Sequence, residues 1–238
     1  MLSITSTFAV AIVGTGRGRG QIGMACCPGR AALWVSPSNS ERELGRDVET
    51  LARWGTQALV TLLDDIEMAR LRLHTLPALL SAAGIPWYRA PFAAERAASP
   101  EFESVWSKIG PVLRDILWQG GKVALHCRDG RDRTGMIAAR LLVELGCHPL
   151  DAINRVRGAR PGAIGSAEQE AYVRRQVAVP EPYEGMQLGL LDEDPYRDPA
   201  SAWSTGLALT AVPATTHLQG LPSQLVRTHG VAGVADSK

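Results

Sequence analysis

One cysteine and one arginine stand at a spacing that suits chemistry on a phosphate group. Cys127 is followed by five residues and then by Arg133, within the stretch 126–135 that reads HCRDGRDRTG. Thiols at helix N-termini have pKa values of about 3.5–7.5 instead of about 8.5, so a thiolate is available at neutral pH. The planar guanidinium of an arginine can hold two phosphate oxygens at once. The pair therefore predicts attack of the Cys127 sulfur on phosphorus while Arg133 binds the phosphoryl oxygens.

The residues between this pair predict a loop that binds an anion through its backbone. An apolar strand at 122–126 precedes the loop and an apolar helix follows it, so backbone N–H groups at the helix N-terminus face the anion. Gly130 relieves the steric limits where the backbone curls, and Thr134 is predicted to hydrogen-bond the Cys127 sulfur and help it leave. The residues predicted to surround the phosphate are Arg128, Asp129, Gly130, Arg131, Asp132 and Arg133.

A structural interpretation of the same residues is a buried, inert Cys127 followed by an ordinary turn, because free cysteines are commonly buried. That interpretation leaves the strand, the glycines, the helix and the position of Arg133 unexplained, so we favour the chemical one. The chemistry needs no metal or cofactor, since arginine and backbone supply the positive charge. The four cysteines also lack the spacing of zinc ligands or of a disulfide framework.

The loop resembles that of the protein tyrosine and dual-specificity phosphatase superfamily. Three more stretches, 27–30 (CPGR), 62–67 (LLDDIE) and 160–169 (RPGAIGSAEQ), resemble the branch related to the kinase-associated, Cdc14-like dual-specificity phosphatases. The resemblance spans residues 8–178. It implies hydrolysis of phosphate monoesters through a cysteinyl-phosphate on Cys127, with phosphotyrosine or phosphoserine/threonine protein as substrate. It also implies that His126 supports the loop by hydrogen-bonding backbone and transfers no proton.

The proton donor departs from this family pattern. Relatives in the branch carry an aspartate after a Pro-hydrophobic pair, and it protonates the leaving oxygen. Here the stretch 91–96 reads PFAAER, with Ala94 at that position and Glu95 beside it. Glu95 is one candidate replacement, and its alternative interpretation is a solvated surface charge.

The second candidate acid is Asp132 in the phosphate loop itself. The order CRDGRDR resembles the loop of myotubularin-type lipid phosphatases, in which the aspartate before the arginine is the proposed acid. We prefer Asp132, and the competing interpretation is an ion pair with Arg128 or Arg131.

Gln169 is a candidate for the hydrolysis step, and the loop arginines are relevant to the choice of substrate. The resemblance implies that Gln169 orients the water that attacks the phosphoenzyme, whereas its position three residues after Ser166 also suits a capping box. Arg128 and Arg131 would suit a second phosphate, so the alternative substrates are phosphorylated lipids, phosphoinositides and inositol phosphates. The missing aspartate motivates a further alternative, a phosphate-binding pseudophosphatase.

Strand-like and helix-like patterns alternate over the first part of the chain. This alternation predicts an α/β domain over residues 1–178, with a single, mostly parallel central sheet and helices on both faces. A helix opening at Ser99-Pro100 is expected to be disturbed at Gly110-Pro111 and to continue to about Trp118. Residues 179–238 contain recurrent prolines without a sustained apolar period, which predicts a flexible tail.

Composition bounds the partners and the compartment. The net charge of +1 gives no reason to expect nucleic acid as a partner, and no apolar run is long enough to insert stably into a membrane. Free thiols in a chain of this composition indicate a reducing, cytoplasmic setting. The sequence makes no prediction of the oligomeric state.

Overall fold

A computed structural model describes residues 8–16, 19–30, 40–92 and 99–182. Glu95 lies outside these ranges, as does most of the predicted tail. The boundaries below refer to the described residues.

The domain is built on one five-stranded sheet. Its strands are β1 (Ala11–Gly14), β2 (Gln21–Ala25), β3 (Ala58–Thr61), β4 (Trp87–Arg89) and β5 (Lys122–His126). The spatial order is β1-β2-β5-β3-β4, and all neighbours are parallel except β1 and β2, which are antiparallel. The predicted mostly parallel sheet is confirmed.

Seven helices flank this sheet. They are α1 (Ser40–Trp54), α2 (Asp65–Arg70), α3 (Leu76–Ala82), α4 (Pro100–Trp118), α5 (Asp132–Glu144), α6 (Pro149–Ala159) and α7 (Ala167–Arg174), counted within the described ranges. Helix α5 is buried along its length and packs on β2 and β5, with α6 and α7 against its other side. The alternation of apolar strands and amphipathic helices thus produces the expected α/β architecture.

The register of the central strands places the site. His126 at the end of β5 lies beside Ala25 at the end of β2 and beside Thr61 at the end of β3. These strands are parallel, so the segments that follow them leave the sheet at the same edge. Residues far apart in the chain therefore meet around Cys127.

Helix α4 continues through Gly110 and Pro111 to Trp118, so its predicted end is confirmed. Pro111 is exposed, so water can bind the carbonyl that loses its N–H partner. Gly110 packs so tightly that an added Cβ would lie 2.9 Å from Trp106 Nε1. The glycine is thus required by packing inside a continuous helix.

The segment after α7 stays bound to the domain beyond residue 178. The Val179 N–H donates to the Glu144 carbonyl at 2.8 Å, and Arg19 forms an ion pair with Glu181 at 2.7 Å. The first residues of the predicted tail therefore belong to the domain, and the remainder of that prediction falls on residues outside the described ranges. Within those ranges, no helix is long and apolar enough to cross a membrane.

Candidate active site

The candidate nucleophile lies at the floor of the phosphate loop. Cys127 directly follows β5 and is 4% exposed. The Gly130 N–H donates to its Sγ at 3.2 Å, so the loop backbone curls over the sulfur. Gly130 has φ +67°, and an added Cβ would lie 2.4 Å from the Ala25 carbonyl oxygen. Both facts explain why glycine stands at this position.

Arg133, in the first turn of α5, is 3% exposed and held by four hydrogen bonds. Its Nη1 donates to the carbonyls of Leu62 at 2.9 Å and Phe92 at 3.1 Å. Glu67 accepts from Nη1 at 2.7 Å and from Nη2 at 2.6 Å, which is a two-pronged ion pair. The guanidinium is therefore held in place before any substrate arrives.

These contacts occupy one edge of the guanidinium and leave the other unused. A guanidinium has five N–H donors, and Nε–H and one Nη2–H point along the opposite edge from the Nη1/Nη2 pair. Among the described residues, no acceptor engages Arg133 at Nε. That edge can donate two parallel hydrogen bonds to phosphate oxygens.

Glu67 is a site residue that sequence reasoning did not single out. Asp64 caps α2, accepting from the Glu67 N–H, while Glu67 Oε2 accepts from the Asp64 N–H in a capping box. Burial acts to raise the pKa of Glu67, but hydrogen bonds from Arg133 and its positive charge outweigh burial and hold that pKa below its ordinary value. The available signal was the D-x-x-E pattern directly after a buried strand.

His126 is fully buried beneath the loop. Its Nε2 lies 2.6 Å from Thr61 Oγ1, which accepts from Trp87 Nε1 at 2.8 Å, so the Thr61 hydroxyl hydrogen is left for the imidazole. Nδ1 lies 3.4 Å from the Cys127 carbonyl, which assigns the proton to Nδ1. Burial lowers the pKa of His126 to about 4, so the ring is neutral. These contacts suit the predicted supporting role.

The other predicted loop residues have different environments. Asp129 forms ion pairs with Arg30 at 2.6 Å and with Arg128 at 3.0 Å. Arg128 and Arg131 are exposed at the mouth of the loop. Arg30 is a second residue near the loop that sequence reasoning did not single out.

The two candidate acids are placed unequally. Asp132 is exposed, and its Oδ1 accepts from the Gly165 N–H at 3.2 Å. The ion pair with Arg128 or Arg131 is not formed among the described residues, since Arg128 pairs with Asp129 instead. Glu95 lies outside the described residues.

Thr134 and Gln169 are buried with unused hydrogen-bonding atoms. The Thr134 hydroxyl oxygen has no partner within the described part of the chain, so the predicted bond to the Cys127 sulfur is not formed here. The Gln169 N–H donates to Ser166 Oγ at 3.2 Å, which is half of the predicted capping box. Gln169 Oε1 has no partner among described residues and can accept a hydrogen bond from a water.

Burial raises the pKa of each of the other three thiols, Cys26, Cys27 and Cys147. All four cysteines are free. Burial, with smaller contributions from Cys26 and Cys127, raises the pKa of Cys27 well above its ordinary value. In the described ranges, no group of three or more His, Cys, Asp or Glu side chains is arranged to hold a metal ion.

A comparison with protein families bears directly on this loop. A model of the tyrosine phosphatase family matches residues 46–154, a stretch that contains the whole loop from Cys127 to Arg133. This stretch of the chain is therefore similar to the tyrosine phosphatase family. A comparison with curated proteins gave no match.

Several solved phosphatase structures are similar to this chain. Kinase-associated phosphatase with serine in place of its catalytic-site cysteine is 24% identical, with 71% of this chain and 93% of that chain covered and a TM-score of 0.61. Tk-PTP in its active form is 22% identical, with 69% and 94% covered and a TM-score of 0.47. A putative protein tyrosine phosphatase from Leishmania major is 18% identical, with 72% and 98% covered and a TM-score of 0.46. The first similarity shows a common fold.

Proposed function

We propose that this chain hydrolyses phosphate monoesters through a cysteinyl-phosphate on Cys127, with phosphotyrosine or phosphoserine/threonine protein as substrate. The observation that carries this proposal is the unused edge of Arg133 beside a buried thiol that already accepts a backbone N–H. A phosphate whose oxygens meet that edge presents its phosphorus to the sulfur. The similarity of residues 46–154 to the tyrosine phosphatase family supports the same chemistry.

The proposed cycle has two displacements at phosphorus. The Cys127 thiolate attacks, a P–S bond forms, and the P–O bond to the leaving group breaks as an acid donates its proton to that oxygen. Water then attacks the phosphocysteine, the P–S bond breaks, and inorganic phosphate and the thiolate are released. Arg133 holds two equatorial oxygens through both steps. The Gln169 Oε1, buried and without a described partner, is proposed to orient the water.

The primary test is turnover of a small aryl phosphate by the full chain. We expect wild-type turnover, none with Cys127→Ser, and little change with Cys147→Ser, a matched control at a half-buried thiol. Rapid quenching with labelled substrate should trap phosphate on Cys127. Binding of phosphate without turnover by the wild type would identify a pseudophosphatase and refute the enzyme proposal.

Substrate class is tested by comparing turnover of a phosphotyrosine peptide, a phosphoserine/threonine peptide and phosphoinositide vesicles. We expect the peptides to be preferred. The exposed Arg128 and Arg131 are the residues that would favour a polyphosphorylated inositol headgroup. A preference for phosphoinositides that is lost with Arg128→Ala and Arg131→Ala would replace the protein substrate by a lipid one.

The acid is tested through the leaving group. With a poor leaving group, substitution of the true acid should abolish the basic limb of the pH–rate profile, whereas an activated aryl phosphate should hide the loss. We propose Asp132, so Asp132→Asn should show this behaviour and Glu95→Gln should not. The reverse result would identify Glu95 as the proton donor.

A further inference from the structure

Three consecutive carbonyls of the phosphate loop are bound from outside the loop. The Arg128 carbonyl accepts from the Cys27 N–H at 3.1 Å. The next two carbonyls share one side chain: Arg160 Nη2 donates to Asp129 O at 3.2 Å, and Arg160 Nε donates to Gly130 O at 3.2 Å. The carbonyls of residues 128–130 are thus all held outward from the loop.

The geometry of the peptide bond converts this outer binding into inner donors. In a planar trans peptide the C=O and the following N–H point in opposite directions. A carbonyl held outward at Asp129 therefore turns the Gly130 N–H inward, and it does donate to Cys127 Sγ at 3.2 Å. By the same reasoning, holding Gly130 O outward turns the Arg131 N–H toward the anion position.

We propose that Arg160 is a positioning residue that sets the phosphate-binding direction of the Gly130 and Arg131 amides. The inference rests on the proposed function only in taking the loop as an oxyanion site. Amides already oriented toward the anion need no reorganisation when charge arrives, so they bind it more strongly. Arg160 donates to the loop carbonyls and acts through the backbone.

The fork of an arginine suits this task because Nε and Nη2 donate in parallel to two adjacent carbonyls. The turn that carries Arg160 is itself docked on α5. Gly165 N–H donates to Asp132 Oδ1 at 3.2 Å, and a Cβ on Gly135 would lie 2.7 Å from Ala163 Cβ. Lysine offers a single ammonium on a flexible stem and cannot reproduce two fixed donors.

The charge of Arg160 also remains available to the loop. No carboxylate in the described ranges pairs with it, so its positive charge adds to the field that attracts an anion. Arg157, one helical turn earlier, provides a matched comparison. It binds the carbonyls of Ala163 and Ile164 inside the turn and pairs with Glu170, without touching the phosphate loop.

The test measures oxyanion binding separately from turnover. Tungstate, a tetrahedral oxyanion, is titrated calorimetrically into the full-length chain as wild type, Arg160→Met, Arg160→Lys and Arg157→Met. We expect the Kd to rise about 10-fold for Arg160→Met, as for loss of hydrogen bonds from a charged donor. Arg160→Lys should be intermediate, Arg157→Met unchanged, and added guanidinium chloride at millimolar concentration should restore part of the loss.

A second readout follows the amides themselves. In wild type, the NMR resonances of the Gly130 and Arg131 N–H groups should shift strongly with tungstate, and these shifts should shrink in Arg160→Met. A tungstate Kd for Arg160→Met within about 2-fold of wild type, against the 10-fold expected for such a donor, would overturn the inference. An equal loss in Arg157→Met would also overturn it, because general damage to the turn would then explain both.

The two proposals fail in distinguishable ways. A wild type that binds tungstate but hydrolyses no ester refutes the proposed function and leaves the role of Arg160 intact. A wild type that hydrolyses esters while Arg160→Met binds tungstate normally refutes only the positioning role. If Arg160→Met does not fold, Arg160→Lys decides, since a wild-type Kd there contradicts the need for a two-donor fork.

Discussion

Helix α5 carries two buried arginines with different surroundings. Arg133 in its first turn is 3% exposed, and Arg140 two turns later is 7% exposed. Both pair with glutamates. Arg140 Nε donates to Glu144 at 2.7 Å, and its Nη1 donates to Glu103 at 2.8 Å and to the Tyr172 hydroxyl. The Arg140 guanidinium also lies 4.7 Å from the centre of a Trp106 ring.

The two arginines differ in which N–H donors of the guanidinium have acceptors. Arg140 has acceptors at Nε and Nη1 and an aromatic ring against its face, so it joins α4, α5 and α7 as a structural element. Arg133 is clamped on one edge and open on the other. Nε therefore distinguishes the two arginines of this helix, since it has an acceptor in Arg140 and none among the described residues in Arg133.

The strongest test of this distinction is Arg133→Lys. A lysine keeps the charge but loses the second donor of the open edge, so we expect kcat/KM to fall about 10³-fold. The midpoint of urea unfolding should change little, because Glu67 can still pair with an ammonium. Steady-state kinetics on an aryl phosphate and urea titration measure both. Retained activity would show that the open edge does not bind phosphate.

Arg140→Met should show the opposite pattern. It leaves Glu103 and the buried Glu144 without one of their partners, and we expect a loss of about 3 kcal/mol in the free energy of unfolding. Below the unfolding transition, kcat should stay within a few-fold of wild type. Arg174→Met, which removes an exposed pair with Glu170, is the control and should leave the free energy of unfolding nearly unchanged. A large kcat effect without destabilisation would contradict a purely structural role.

The pH dependence of stability tests the buried histidine beneath the phosphate loop. Beneath the loop, burial lowers the pKa of His126 to about 4. In the unfolded state the His126 imidazole binds a proton below about pH 6.5, whereas in the folded state it does so only near pH 4. The free energy of unfolding therefore decreases as the pH falls from about 6.5 toward 4. We expect the stability of wild type relative to His126→Asn to decrease by about 3 kcal/mol over this window. Urea titrations at several pH values measure this difference.

Comparison between variants is needed because Asp47 acts in the opposite direction. Burial raises the pKa of Asp47 to about 6 despite a hydrogen bond from the Gly29 N–H. The stability that the protonated Asp47 carboxyl contributes is therefore lost as the pH rises from about 4 toward 6. Asp47 is present in both proteins and cancels. A pH-independent difference between wild type and His126→Asn would contradict the buried, neutral histidine.

The smallest expected effects come from neutralising the glutamate partners. Glu67→Gln keeps one acceptor for Arg133 but loses the two-pronged ion pair, so we expect kcat to fall about 10-fold. Glu103→Gln, beside Arg140, should leave kcat unchanged and cost about 1 kcal/mol of stability. Steady-state kinetics and urea unfolding of both variants provide the measurement. Equal losses of kcat in the two variants would contradict the proposed difference between Arg133 and Arg140.

Residues close together in the chain could be interpreted from the sequence. The loop 127–133, the strand before it and the helix after it form one continuous pattern, and Ser99 and Ser166 cap α4 and α7 as their patterns indicate. The fold class followed from the same local alternation. Glu67 was missed because its pattern signals a helix cap equally well, and Arg160 because carbonyl binding leaves no motif.

The sequence by itself thus determined the sheet and singled out Cys127 and Arg133 as candidate site residues, because each depends on neighbouring residues and on periodicity. Only the tertiary structure decided which donors remain free. The parallel register of β2, β5 and β3 brings Cys27, Cys127 and Glu67 to one edge. Whether an arginine binds substrate or stabilises the fold depends on the acceptors that such distant segments supply, and no local pattern specifies them.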